Sequence, residues 1–125
     1  MKIIETAKAP AAIGPYSQAI TANGLVYTSG QIPIDPATGN IEAACIEVQT
    51  EQAIKNLSAV LEAAGSGLDK VIKTTCYLKS MDDFSVFNGI YARYFTGKPA
   101  RSCVAVAALP KGALVEIEAV AEIEA

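Results

Sequence analysis

The first readable pattern is a pair of short apolar-rich runs, at 16–20 and 25–31, separated by Asn23-Gly24. Both turn residues tolerate positive φ, so the segment predicts a tight antiparallel hairpin. Pro33, Asp35-Pro36 and Thr38-Gly39-Asn40 then make a turn-rich connection, because proline fixes φ and glycine accepts conformations other residues avoid. From about 46 to 64 the period changes. Ala53, Ile54, Leu57, Val60, Leu61 and Ala64 recur at helical spacing and Gly65 supplies a left-handed stop, which predicts a helix with one stripe to lay on a sheet.

Residues 71–79 alternate, with Ile72, Thr74, Cys76 and Leu78 on one side and Val71, Lys73, Thr75 and Tyr77 on the other, as a strand between two environments does. Ser80 and Asp83 read as a capping box for a second helix, whose stripe of Phe84, Phe87, Tyr91 and Phe95 ends before Gly97 and Pro99. Strands over 100–108 and 114–123, joined by Pro110-Lys111-Gly112 as a hairpin loop, complete the order β-β-α-β-α-β-β. This is an α+β pattern. The 125 residues contain no repeat or linker, so 1–125 reads as a single domain, large enough to bury about two-thirds of its unfolded surface. Two helices with one apolar stripe each cover one face of such a sheet. The other face predicts self-association, with a cleft between copies as a place for a ligand.

Composition removes several kinds of chemistry. About half of the residues are hydrophobic, yet no apolar run approaches the roughly 20 residues that span a bilayer. The segment Met1-Lys2-Ile3-Ile4-Glu5-Thr6 has no secretion pattern, so no membrane association and a cytoplasmic location are expected. Cys45, Cys76 and Cys103 are widely spaced, against a disulfide framework or a thiolate metal site. Histidine is absent, which excludes Ser-His and Cys-His nucleophiles and the commonest metal ligand. The expectation is chemistry without metal or cofactor. A net charge of -3 without a basic stripe argues against a nucleic-acid partner.

Against this background Arg101 stands out, at the start of a strand after Gly97-Lys98-Pro99-Ala100. Its planar fork binds a carboxylate bidentately, although a surface or intersubunit ion pair with a glutamate is the commoner use of such a residue. Arg101, Cys103 and Ala105 share one face of their strand, and Glu116 and Glu118 share a face of the next. Across a hairpin, charge and thiol would converge. Without histidine, a carboxylate is the available general base, and spacing alone leaves both Glu116 and Glu118 open. Cys103 has no neighbouring His or Lys to depress its pKa and reads as a pocket-lining residue. Ser29-Gly30 offers a hydroxyl and close backbone approach, or a bulge. Tyr16 offers a phenol or a packing ring. Asn88, on the stripe of the second helix, is a core amide or a ligand donor.

At these residues the chain resembles a known family. Ala11-Ala12-Ile13-Gly14-Pro15-Tyr16-Ser17-Gln18-Ala19, Thr28-Ser29-Gly30-Gln31-Ile32-Pro33, Pro99-Ala100-Arg101-Ser102-Cys103-Val104, Leu109-Pro110-Lys111 and Val115-Glu116-Ile117-Glu118-Ala119 closely resemble, in order, motifs of the RidA (YjgF) deaminases. The resemblance implies a chorismate-mutase-like fold, a homotrimer with a central barrel, and clefts at the subunit interfaces. It implies cofactor-free hydrolysis of 2-imino acids, with their enamine tautomers, to 2-keto acids and ammonia. Carried over residue by residue, Arg101 clamps the substrate carboxylate, Glu116 positions water, and Cys103 lines the imine side largely through its backbone. Tyr16, Ser29, Gly30 and Asn88 complete the wall. The chain departs from the family pattern in a shorter Thr96-Gly97-Lys98 approach to Pro99 and in Ala105, where an acidic residue is frequent; both bear on substrate range.

Overall fold

The computed structural model describes residues 1–124. The elements run β1 (Lys2–Ile4), β2 (Ala19–Ala22), β3 (Leu25–Thr28), α1 (Ile46–Ala63), β4 (Val71–Leu78), α2 (Phe84–Tyr94), β5 (Ala100–Ala105) and β6 (Val115–Glu122). They form an α+β fold with a six-stranded sheet in the order β1-β2-β3-β6-β4-β5. Among the described residues only the β4–β5 pair is parallel, and α2 is the crossover that such a pair requires.

Asn23 at φ 52 and Gly24 at φ 78 form the expected tight turn between β2 and β3. The first strand of that hairpin sits later than its apolar run suggested. Gln18 is buried and spends its amide on the preceding loop: Oε1 accepts from the Thr6 N–H at 2.7 Å and Nε2 donates to the Thr6, Ala9 and Pro10 carbonyls. Residues 16–18 are therefore committed to a loop rather than to the ladder. β3 stops at Thr28, and Gln31 rejoins the sheet only through a bridge to Ile117. β1, too short to show a period, was not anticipated.

α1 ends as predicted, with Gly65 at φ 82 after the cap residue Ala64. The Ser80 hydroxyl accepts from the Asp82 N–H at 3.1 Å, not from Asp83, and caps a short 3-10 turn that precedes α2. In β4 a register shift between Val71 and Lys73 skips Ile72, which is exposed, so Val71 and Thr74 both face inward. That bulge overturns the strict alternation expected for the start of this strand.

The largest departure concerns the two C-terminal strands, which are not a hairpin. β4 lies between them, parallel to β5 and antiparallel to β6. Pro110–Gly112 is a 3-10 turn in a longer crossing, with Lys111 at φ 57. The helices nevertheless cover one face. Val115, Ile117, Ala119 and Ala121 of β6 and Thr74, Cys76 and Leu78 of β4 are buried on the side that meets Ile54, Leu57 and Leu61 of α1 and Phe87 and Ile90 of α2. On the other face, exposed apolar side chains remain on β1, β3 and β5: Ile3, Tyr27 and Val104. Among the described residues no helix is long and apolar enough to cross a membrane.

The Asn23-Gly24 turn generates a test. A Cβ built on Gly24 meets nothing within 4 Å, so Gly24→Ala should cost only the left-handed backbone penalty, about 1 kcal/mol. Urea denaturation should show a lower midpoint with an unchanged slope; an unchanged midpoint would mean that the turn is not held in this conformation.

Candidate active site

Arg101 lies opposite Thr74 in the β4–β5 register, and Thr74 is fully buried toward the helices. Its side chain therefore rises on the helix-covered face, at the sheet edge, against α2. Arg101 Nη1 donates to Asn88 Oδ1 at 2.6 Å. The guanidinium carbon stands 4.8 Å from the centre of the Tyr91 ring and 5.6 Å from that of Phe84. None of the ion pairs among the described residues includes Arg101, so the surface ion pair weighed from sequence is not formed among them. A cavity of about 410 Å³ opens here, bordered by Asn88, Tyr91, Thr96, Lys98 and Arg101.

Cys103 follows on the same face, half-buried and paired in register with buried Cys76. Burial pushes the Cys103 thiol up, against a smaller lowering by Arg101. The Cys76 thiol is pushed up to about 12, chiefly by burial. Both thiols are protonated at neutral pH, which removes the thiolate that nucleophilic catalysis needs. Among the described residues no group of His, Cys, Asp and Glu is placed to hold a metal ion.

Glu116 belongs to a different surface. Val115 and Ile117 point to the core, so Glu116 and Glu118 point to the uncovered face, beside Tyr77 and Thr75 of β4. The Glu116 carboxylate lies directly on Gly30, where any Cβ would collide with it. Close packing, not positive φ, is the reason for glycine here. Hydrogen bonds between the Gln31 and Ile117 backbones, at 2.8 and 3.1 Å, hold this approach. Burial holds the Glu116 carboxyl above its ordinary value, and the nearby Glu118 charge adds to the shift.

Ser29 and Tyr16 adjoin this second group. The Ser29 hydroxyl donates to the Ser17 carbonyl at 2.6 Å and its N–H donates to the Gln18 carbonyl at 2.9 Å. Ser29 thus ties the Tyr16 loop to the Gly30 segment. Tyr16 is 54% exposed and borders, with Ile13, Gly30, Ile32 and Ile34, a largely apolar cavity of about 470 Å³.

The predicted residues therefore gather as two groups. Arg101, Cys103 and Asn88 meet on the helix-covered face, whereas Glu116 packs on Gly30 from the uncovered face, with Ser29 and Tyr16 adjoining Gly30. The convergence expected across a hairpin does not occur within one chain. With β4 inserted between β5 and β6, the pleat sends Arg101 up with Thr74 and Glu116 down with Tyr77.

Sequence reasoning also missed residues that hold these groups. Tyr91 and Phe84 read only as members of an apolar stripe, yet they form the surface beneath Arg101. Asn56, buried on α1, donates to the Ile32 and Ile34 carbonyls at 3.1 and 2.8 Å and accepts from Gln52 Nε2 at 2.9 Å. Buried Gln49 links the Ala43 carbonyl to the Leu114 N–H, at 2.8 Å each. The one available signal was a polar amide at a position flanking the helical stripe.

Comparison with known proteins assigns this arrangement to a family. The endoribonuclease L-PSP family model matches residues 6–123. A Lactococcus lactis relative whose assigned name proposes a regulator, AldR, is 58% identical over 125 residues, covering 99% of each chain. The mouse 2-iminobutanoate/2-iminopropanoate deaminase is 50% identical over 121 residues, covering 96% of this chain and 90% of its own. The crystal structure of YyfA from Yersinia pestis, a protein of the conserved Rid family, superposes with a TM-score of 0.95 at 56% identity over 98% of both chains. This chain belongs to the endoribonuclease L-PSP family, which is the RidA (YjgF) family, and shares its fold.

Proposed function

We propose that this protein is a cytoplasmic deaminase that hydrolyses 2-imino acids such as 2-iminobutanoate and 2-iminopropanoate. It would thereby remove reactive intermediates released by pyridoxal-phosphate-dependent dehydratases. The observation that carries the reading is Arg101: a guanidinium held by Asn88 at 2.6 Å, facing a cavity and included in none of the ion pairs among the described residues. A small 2-imino carboxylate supplies a partner, bound by parallel charge-assisted hydrogen bonds. The mouse deaminase, at 50% identity, supports the substrate class.

In the proposed reaction Glu116 takes a proton from water as the oxygen attacks the carbon of the protonated imine. The resulting amino alcohol receives that proton on nitrogen and expels ammonia while its hydroxyl proton passes to the Glu116 carboxylate, leaving the 2-keto acid, and the released ammonia carries that proton away as ammonium. An imine carbon is already electrophilic, so holding and orienting the reactants supplies much of the acceleration, on the order of 7 kcal/mol. The step needs no cofactor.

Separation of the two groups on one chain bears on assembly. A single copy offers Arg101, Asn88 and Cys103 on one surface and Glu116, Gly30, Ser29 and Tyr16 on another. A homotrimer that apposes the first group of one copy to the second group of its neighbour would complete the site and also cover the exposed Ile3, Tyr27 and Val104.

The second reading is a non-catalytic binding or chaperone-like protein, favoured by the regulator name of the Lactococcus lactis relative. It keeps the Arg101 clamp and omits hydrolysis. The endoribonuclease of the family description finds less support in a chain without histidine and with net charge -3.

The deciding experiment is a coupled assay in which threonine dehydratase generates 2-iminobutanoate and an amine buffer traps what is not hydrolysed. Deamination without added metal is expected; tight carboxylate binding with no deamination would transfer the case to the second reading. Light scattering should give about three times the 13.0 kDa chain mass, and a monomer at micromolar concentration would refute the shared site.

Arg101→Lys should lose about 2 kcal/mol of transition-state stabilisation, a factor of about thirty, with circular dichroism and size unchanged. Glu116→Gln should abolish hydrolysis but preserve carboxylate binding. Wild-type rates in either variant would remove that residue from the mechanism.

Glu116 must be ionised to act as the base, and its carboxyl is raised above the ordinary glutamate value of 4.5 by burial and then by Glu118. As pH falls, activity should therefore drop at a higher pH than an ordinary glutamate would give. Glu118→Gln should move that limb to lower pH. A limb at or below 4.5 in the wild type would exclude Glu116 as the base.

A further inference from the structure

We infer that Tyr91, moored by Thr74, is a positioning residue that sets the orientation of the Arg101 guanidinium. The inference rests on the reading of Arg101 as a carboxylate clamp and goes beyond it by naming what aims the clamp.

A guanidinium binds a carboxylate bidentately only when its plane is fixed, since the two N–H bonds must arrive together. Asn88 fixes one nitrogen through a single in-plane hydrogen bond. One such contact leaves the plane free to swing about it. The Tyr91 ring centre, 4.8 Å from the guanidinium carbon, supplies a second and different restraint from the face, and Phe84 lies at 5.6 Å. Cation–π attraction holds the flat cation over the ring while leaving in-plane donors for a ligand.

The ring itself is held from three directions. Its hydroxyl shares a hydrogen bond of 2.8 Å with Thr74 Oγ1, between two buried side chains. Phe95 stacks on it at 4.3 Å between centres with an interplanar angle of 22°, and Phe87 packs at 5.7 Å. Thr74 is also the residue opposite Arg101 in the β4–β5 register. The same rung of the sheet therefore places the Cα of Arg101 and the hydroxyl that moors the ring beneath it. Burial raises the Tyr91 phenol above its ordinary value, so it remains neutral and available for that bond.

This arrangement separates two properties of Tyr91. The aromatic face acts on Arg101, and the hydroxyl acts only on the ring. Tyr91→Phe keeps the face, with Phe95 still stacked on it; Tyr91→Leu removes it.

The experiment uses the full protein and two readouts. The first is ¹⁵N-resolved NMR of the arginine Nε–H signals, simplified because Arg93 and Arg101 are the only arginines; Arg101→Lys assigns them. The wild type and Tyr91→Phe should show a distinct, ordered Arg101 signal, and Tyr91→Leu an averaged one. The second is steady-state kinetics with 2-iminobutanoate together with the Kd of 2-ketobutyrate. Tyr91→Leu should weaken KM and Kd together by roughly tenfold, the scale of a partly desolvated cation–π contact, and change kcat much less. Tyr91→Phe should restore most of the loss.

Ile4→Ala, at the opposite edge of the sheet, serves as a destabilised control and should leave KM and Kd unchanged. An Arg101 signal in Tyr91→Leu as ordered as in the wild type would overturn the inference, as would a phenylalanine variant no better than the leucine variant. A wild type that orders Arg101 on Tyr91 but neither deaminates imines nor binds the keto acid would instead remove the deaminase reading and leave the positioning role standing.

Discussion

The pleat of the central β4–β6 pair is the constraint on which the rest of this molecule depends. β6 lies between β3 and β4, so its odd residues from Val115 to Ala121 serve the core and its even residues serve the opposite face. A strand period of two permits no compromise between those duties. Glu116 cannot turn toward the helices without exchanging places with Ile117, which is fully buried. Its placement follows from the hydrophobic demand of its neighbours, and with it the division of the polar groups into two sets.

Each set is then built by a different kind of restraint. On the helix-covered face the restraint is aromatic: α2 brings Phe84, Asn88 and Tyr91 to one side of Arg101. On the uncovered face it is backbone proximity, with Glu116 against Gly30. The loops around that approach are held by amide side chains. Gln18, Gln49 and Asn56 satisfy carbonyls and N–H groups that would otherwise be left without partners near the core. A buried donor or acceptor left unpaired costs about 1–3 kcal/mol, so these amides stabilise the fold as well as the shape of the cavity beside Tyr16.

Chemistry without histidine narrows how such a protein could act. A carboxylate whose pKa is raised by burial, as that of Glu116 is, is a stronger base once ionised than an exposed one. The protonated thiols of Cys76 and Cys103 leave Arg101 as the charged group of the other set. Polar function here rests on few residues, and the precision of their placement carries correspondingly more of the proposed reaction.

The α+β class, both helices, the Asn23-Gly24 turn and the Gly65 stop were determined by sequence alone, because periodicity and turn chemistry are local. The motif residues Arg101, Glu116, Gly30 and Tyr16 were legible as a set through their resemblance to a family. Tertiary structure decided strand adjacency: two strands in succession suggested a hairpin, and β4 came between them because the sheet, not chain order, buries their apolar faces. It also decided β1, whose three residues gain regular structure only by pairing with β2, and the bulge that exposes Ile72. The support of Arg101 by Tyr91 lay outside the reach of a sequence pattern for the same reason. An aromatic residue at helical spacing reads as core until the fold shows which cation rests on its face.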